Sequence, residues 1–292
     1  MTDMHSSTHF LKLKSRWIKR HKQIQKQLLT QHKKVVKWVD HTSKHIAVGS
    51  MTGLLMLAHP VNATIISHQF VPPSPQEDPQ AHTKEELVRR LADLLPEKVQ
   101  ELGIDQEISI AHTLSTFFSL PVSPTVEQRR LNRAYGIIGA EQHLARHPGD
   151  TIETHFATPS ESVHVSSGMA PGRGAWGHFA TSRESMTQQD SDREKYYIAV
   201  PTFLSPGWEE NPQELYRLFR YRKMLVVNPE NGKVIIVVIG DAGPAPWTGK
   251  HLGGSPEVMA HLERVDGGAR GPVLYFFVDD PSDSIPLGPI EL

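Results

Sequence analysis

"RKMLVVNPENGKVIIVVIGDAGP", residues Arg222 to Pro244, is the stretch on which the fold turns. Arg222–Val227 and Val234–Ile239 are two short runs rich in β-branched and aliphatic residues. Between them Asn228-Pro229-Glu230-Asn231-Gly232 supplies turn chemistry, so the pair predicts an antiparallel hairpin. The second run enters Gly240-Asp241-Ala242-Gly243-Pro244, which delivers one carboxylate at the point where a strand must end.

Outward from the hairpin, Lys195–Val200 and Val273–Val278 predict two further strands. Ser255 is an N-cap, Pro256 suits the first helical position, and Val258, Met259 and Leu262 form one apolar face, so a single helix interrupts the strands and stops near Gly267-Gly268. The order of strand, hairpin, acid loop, helix and closing strand predicts a small closed β fold. Ahead of it, "HFATPSESVHVSSGMAPGRGAWGHFATSRESM" has no helical period and reads as loop and short strand.

The preceding region reads as helical. Thr83-Lys84-Glu85-Glu86 is a capping box followed by Leu87, Leu91, Leu94 and Leu95 up to Pro96. A second helix is expected from Pro96 to Leu102 and a third from Ile104 to Leu120. Leu131, Tyr135, Ile138 and Leu144 extend the helical reading to residue 148. On such a helix Glu141 and His143, two apart, point to different faces and are expected to be solvated rather than paired.

The carboxy-terminal half resembles the double-psi β-barrel of rare lipoprotein A and its relatives, a cell-wall-active group that includes membrane-bound lytic transglycosylases and expansin-like proteins. Arg222–Pro244 looks like that family's strand, N-x-x-N-G-K turn, strand and D-x-G-P loop. "TGKHLGGSPEVMAHL" resembles its G-R-x-I-D-L-S turn and small helix, "GPVLYFFV" its last strand, and "WGHFATSRES" its upstream segment, with Glu184 on the acid of that motif. One departure stands out: Gly253 occupies the place of the aspartate in the I-D-L-S turn. The resemblance implies an α+β chain ending in a six-stranded double-psi-like barrel over residues 172–280.

It also implies a site. Asp241 would be the acid that protonates a glycosidic oxygen, with Glu184 as a second carboxylate. Trp176 and Trp247 would offer stacking platforms for sugar rings, and His178 and Lys250 further substrate contacts. The alternative for Asp241 is a turn-forming acid that accepts backbone N–H bonds, in a non-catalytic glycan- or protein-binding barrel. No cofactor is expected. His155, His164 and His178 match no metal-ligand spacing, so no metal is expected either. Neither "GPAPWTGKH" nor "GMAPGRGAWG" has the spacing or context of a nucleotide-binding loop.

The amino terminus reads as an address. Residues 1–44 carry 11 Lys+Arg against 2 Asp+Glu, which leaves a balance of −10 for residues 45–292. No charged residue lies between Lys44 and Glu77, and residues 45–66 read as a signal peptide or, if uncleaved, a membrane anchor at the short end of spanning length. A proline-rich linker covers 67–80, the helical module 81–148, a connector 149–171 and a tail 281–292. The absence of cysteine excludes disulfides and thiolate-held metals. The expected setting is extracytoplasmic, with peptidoglycan or another envelope glycan as partner, the membrane through 45–66, and no nucleic acid.

Overall fold

The computed structural model describes residues 83–264 and 270–291, which belong to the compact unit that begins at Pro75. The basic arm, the segment expected to be a signal or anchor, and the expected linker lie outside the described residues. Among those described, no helix is long and apolar enough to cross a membrane.

The protein is α+β, with a closed six-stranded mixed β-barrel and several helices. Its elements in order are α1 (Lys84–Leu94), α2 (Ile104–Phe118), β1 (Val122–Ser123), β2 (Tyr135–Ala140), α3 (Ile152–His155), α4 (Pro159–Ser162), α5 (Gln188–Lys195), β3 (Tyr197–Val200), α6 (Pro212–Phe219), β4 (Lys223–Val227), β5 (Val234–Ala242), β6 (Leu252–Gly254), α7 (Pro256–His261), β7 (Arg270–Val278) and β8 (Gly288–Ile290). The barrel closes in the order β7-β2-β6-β3-β5-β4 and back to β7, while β1 and β8 add to β7 and β5. Two pairings, β2 with β6 and β3 with β5, are parallel, and the others are antiparallel.

The expected hairpin is β4 and β5, with Val227 opposite Val234. Met224–Val227 and Val234–Ile239 are apolar at every position because both faces are buried, a pattern usual where helices cover a sheet. Met224, Val226, Ile235, Val237 and Ile239 enter one cluster, together with Val273, Tyr275 and Phe277 of β7. Their neighbours Leu225, Val227, Val234, Ile236, Leu274 and Phe276 enter another, with Leu87 and Leu91 of α1 and Ile110, Leu114 and Phe117 of α2. The first cluster fills the barrel; α1 and α2 therefore seal part of its outer wall.

Three expectations change. Residues 96–102 are irregular, with a bend at 97–98, rather than a helix. Residues 135–140, expected as part of a helix, are β2, so the barrel draws a strand from well ahead of residue 172. The reason is in the two glycines: a Cβ on Gly136 would lie 2.8 Å from the Cβ of His251, and one on Gly139 would overlap the Lys250 side chain. Only glycine lets β2 come this close to the segment that leads into β6. Third, α3 and α4, which lie where loop and short strand were expected, and α5 and α6 join α7 in interrupting the strands. The helix expected at Ser255 is present, capped by the bond from Val258 N–H to Ser255 Oγ at 3.3 Å.

Candidate functional site

A single register row crosses four barrel strands: Gly139 lies opposite Gly253, Gly253 opposite Ala199, and Ala199 opposite Asp241. With strands about 4.8 Å apart, the backbones at Gly253 and Asp241 are about 10 Å apart. Beside this row stands Tyr197, 1% exposed, whose hydroxyl donates to the Gln142 carbonyl. Burial raises its phenol well above the ordinary value, and the charges of Glu141, Glu194, Asp241 and Glu257 raise it further.

Asp241 occupies the end of β5, partly buried, and its Oδ1 accepts from Ala175 N–H at 2.6 Å and Ala242 N–H at 2.8 Å. Burial pushes its carboxyl above the ordinary range, against the pull of those two donors. The acid therefore holds the Gly174-Ala175 loop to the strand and is also easier to protonate than a free aspartate.

The other expected residues divide. Trp247 is 88% exposed on the turn after Asp241, free to present its face. Trp176 is not a platform: it is buried, its indole N–H donates to the Tyr216 carbonyl at 2.9 Å, and it packs in the barrel core. His178 is partly buried, and desolvation followed by the Arg173 charge lowers its imidazole. Glu184 is exposed; backbone and Ser182 hydrogen bonds hold its carboxyl below the usual range, and no described contact joins it to Asp241.

Lys250 leads to a residue the sequence reading set aside. Its Nζ lies 2.5 Å from Glu141 Oε1 and 2.9 Å from the Ala140 carbonyl. Glu141 follows β2 instead of riding a helix, and its side chain fills the space over Gly253, so that a Cβ on Gly253 would fall inside it. The position where the resemblance places an aspartate is thus covered by the glutamate that follows β2. Gly253→Asp is accordingly expected to displace Glu141, break its pair with Lys250 and cost about 1–3 kcal/mol. The double variant with Glu141→Ala should recover part of that loss in urea unfolding. Equal unfolding midpoints for Gly253→Asp and wild type would contradict the placement.

Next to this row lies a second constellation, fully buried. His143 and His155 are each 1% exposed and Glu194 is 0% exposed. They come from the chain after β2, from the end of α3 and from the last turn of α5. Glu194 Oε1 accepts from Leu144 N–H at 3.0 Å and lies 3.0 Å from His143 Nδ1. Its Oε2 lies 3.2 Å from His155 Nε2 and accepts from Arg146 Nε at 3.1 Å. Arg146 Nη1 in turn donates to Glu161 at 2.7 Å, and Asp150 sits 2.8 Å from His155 Nδ1. Burial alone would raise Glu194; the two imidazoles overcome it and hold the carboxyl far below its usual value. Burial lowers His155, but Asp150 and Glu194 outweigh it and bring the imidazole up to about 9.

His143 was expected to be solvated, and Glu194 carried no expectation at all. The three residues are 12 and 39 positions apart, a spacing that only the fold turns into proximity. The local signals were nevertheless present: Thr151, Thr158 and Thr187 each open a helix with a capping box, and those helices carry His155, Glu161 and Glu194 into place.

No protein-family model, no curated protein and no solved structure matches the chain.

Proposed function

We propose that the chain is an exported cell-envelope protein whose barrel, of double-psi type, binds glycan strands of peptidoglycan or a related wall polymer and cleaves them with Asp241 as the acid–base group. The observation that carries this reading is the partly buried Asp241 carboxyl, raised above its ordinary range, at the strand end from which the chain runs on to the exposed Trp247. A carboxyl raised above its ordinary range holds its proton more readily, and can donate it to a leaving glycosidic oxygen and take one back from the attacking hydroxyl. Glu141, steadied by Lys250, rather than the exposed Glu184, supplies the second negative charge near a developing oxocarbenium ion. Trp247 offers a sugar ring an apolar face. The cationic arm and uncharged segment of residues 1–66 support export or anchoring.

A non-catalytic wall-binding barrel is the second reading, favoured by the two backbone N–H bonds that make Asp241 a structural tie. The two separate on incubation of the protein and its Asp241→Asn variant with intact sacculi. Anhydro-ended fragments from wild type alone support cleavage. Binding by both proteins without fragments selects the binding reading, and neither fragments nor binding rejects both.

The same variant carries a stability prediction. A carboxyl with a raised folded pKa is favoured by protonation, so its contribution declines as pH rises from the unfolded value through the folded one, then stays level. Asp241→Asn should therefore gain thermal stability over wild type across that window and retain the gain at neutral pH. Parallel melting curves between pH 4 and 7 measure it; a variant that melts lower throughout would show that the N–H bonds dominate.

A further inference from the structure

The buried histidine constellation is not needed for glycan chemistry, and its geometry asks for a positive centre. We propose that His143 Nδ1, His155 Nε2 and the Glu194 carboxylate bind one divalent transition-metal ion of the zinc class.

Bonds of 2.0–2.1 Å in tetrahedral geometry place ligand atoms about 3.3–3.4 Å apart. Here His155 Nε2 is 3.3 Å from His143 Nδ1, and the two Glu194 oxygens are 3.0 and 3.2 Å from their imidazole nitrogens. All these atoms lie within 4.8 Å of one another. The outer nitrogens complete the pattern. His155 Nδ1 faces Asp150 at 2.8 Å, which takes that N–H, so that a metal ion displacing the Nε2 proton would meet a lone pair directed inward. His143 Nε2 faces Glu257 at 3.7 Å and has no hydrogen-bond partner. The carboxylate behind His155 orients it as a metal ligand is oriented, and the Glu257 carboxylate stands within reach of His143.

Charge points the same way. Glu194, Asp150, Glu161 and Glu257 bring four carboxylates around a single guanidinium, that of Arg146, with the Glu194 and Asp150 side chains fully buried. A dication would offset this excess more fully than the single proton that the metal-free cluster holds on His155. Imidazole with one carboxylate suits zinc, cobalt or nickel better than calcium or magnesium. With its ligands 0–1% exposed, the ion would be structural: it would join the β2 exit, the segment that ends in α3, and α5, and so staple the loop-rich connector to the barrel wall.

The test uses the full chain, stripped of metal and titrated with Co²⁺, then with Zn²⁺. The expected result is the visible absorption of low-coordinate Co²⁺ at one equivalent, loss of that absorption when Zn²⁺ displaces it, and a higher melting temperature. His155→Gln and His143→Gln should each abolish that equivalent, while His178→Gln should leave it unchanged. Should the ligand variants fail to fold, Asp150→Asn, which keeps all three ligands, should weaken affinity about tenfold or more. Absence of Co²⁺ absorption in wild type would overturn the proposal in favour of protons shared within the cluster. Undiminished absorption in the folded ligand variants, or unchanged affinity in Asp150→Asn, would overturn it by placing the metal elsewhere.

Discussion

Replacing Glu194 with alanine is expected to lower the free energy of unfolding by about 3–5 kcal/mol, the cost of leaving a buried ionic network without its hub. Glu194 is 0% exposed and meets a backbone N–H, a guanidinium and two imidazoles. Truncation removes every one of those contacts at once, and no water reaches the vacated groups to replace them. Against a total stability of about 5–15 kcal/mol for a domain, this is a large fraction. Glu194→Gln keeps an acceptor for Leu144 N–H and most of the volume, so it should cost less than alanine. Urea unfolding of the three proteins checks the order. A loss below about 1 kcal/mol for alanine would mean that the network is open to solvent.

Gly240→Ala is expected to be nearly as damaging, by about 3 kcal/mol, through overpacking. A Cβ at this position would stand 2.5 Å from the Cβ of Tyr197 and 3.0 Å from its Cγ. These are the root of the side chain, not its mobile end, and Tyr197 has nowhere to retreat. Its ring packs with Leu144, Ala199 and Val238, and its hydroxyl is bonded to the Gln142 carbonyl. Because Asp241 is the next residue, the same push should disturb its bond to Ala175 N–H and reduce any activity that depends on the acid. Gly172→Ala, where a Cβ would meet nothing within 4 Å, is the control and should stay within about 0.5 kcal/mol of wild type. A Gly240→Ala variant as stable as that control would show that β3 and β5 are less closely packed at Tyr197.

Local chemistry carried far into this protein. The hairpin of β4 and β5, the strands β3 and β7, and the capped helices α1 and α7 each follow from residues adjacent in the chain: β-branched runs, an Asn-Gly turn, a Thr or Ser cap. Asp241 was legible for the same reason, as a carboxylate fixed to the end of a recognisable strand. The β2 segment was not, because Tyr135, Ile138 and Leu144 fit a helical spacing as well as they fit a strand. What decides between them is the approach of His251 and Lys250 to Gly136 and Gly139, contacts that span more than a hundred residues.

The site divides along the same line. The sequence by itself determined a buried sheet, its turns, and an acid at a strand end, since periodicity and turn chemistry act over a few residues. Only the tertiary structure decided that Trp176 belongs to the core and Trp247 to the surface, and that Glu141 covers Gly253. It alone decided that His143, His155 and Glu194 share one dry pocket. Burial and charge proximity are properties of where distant segments meet, and barrel closure sets that meeting.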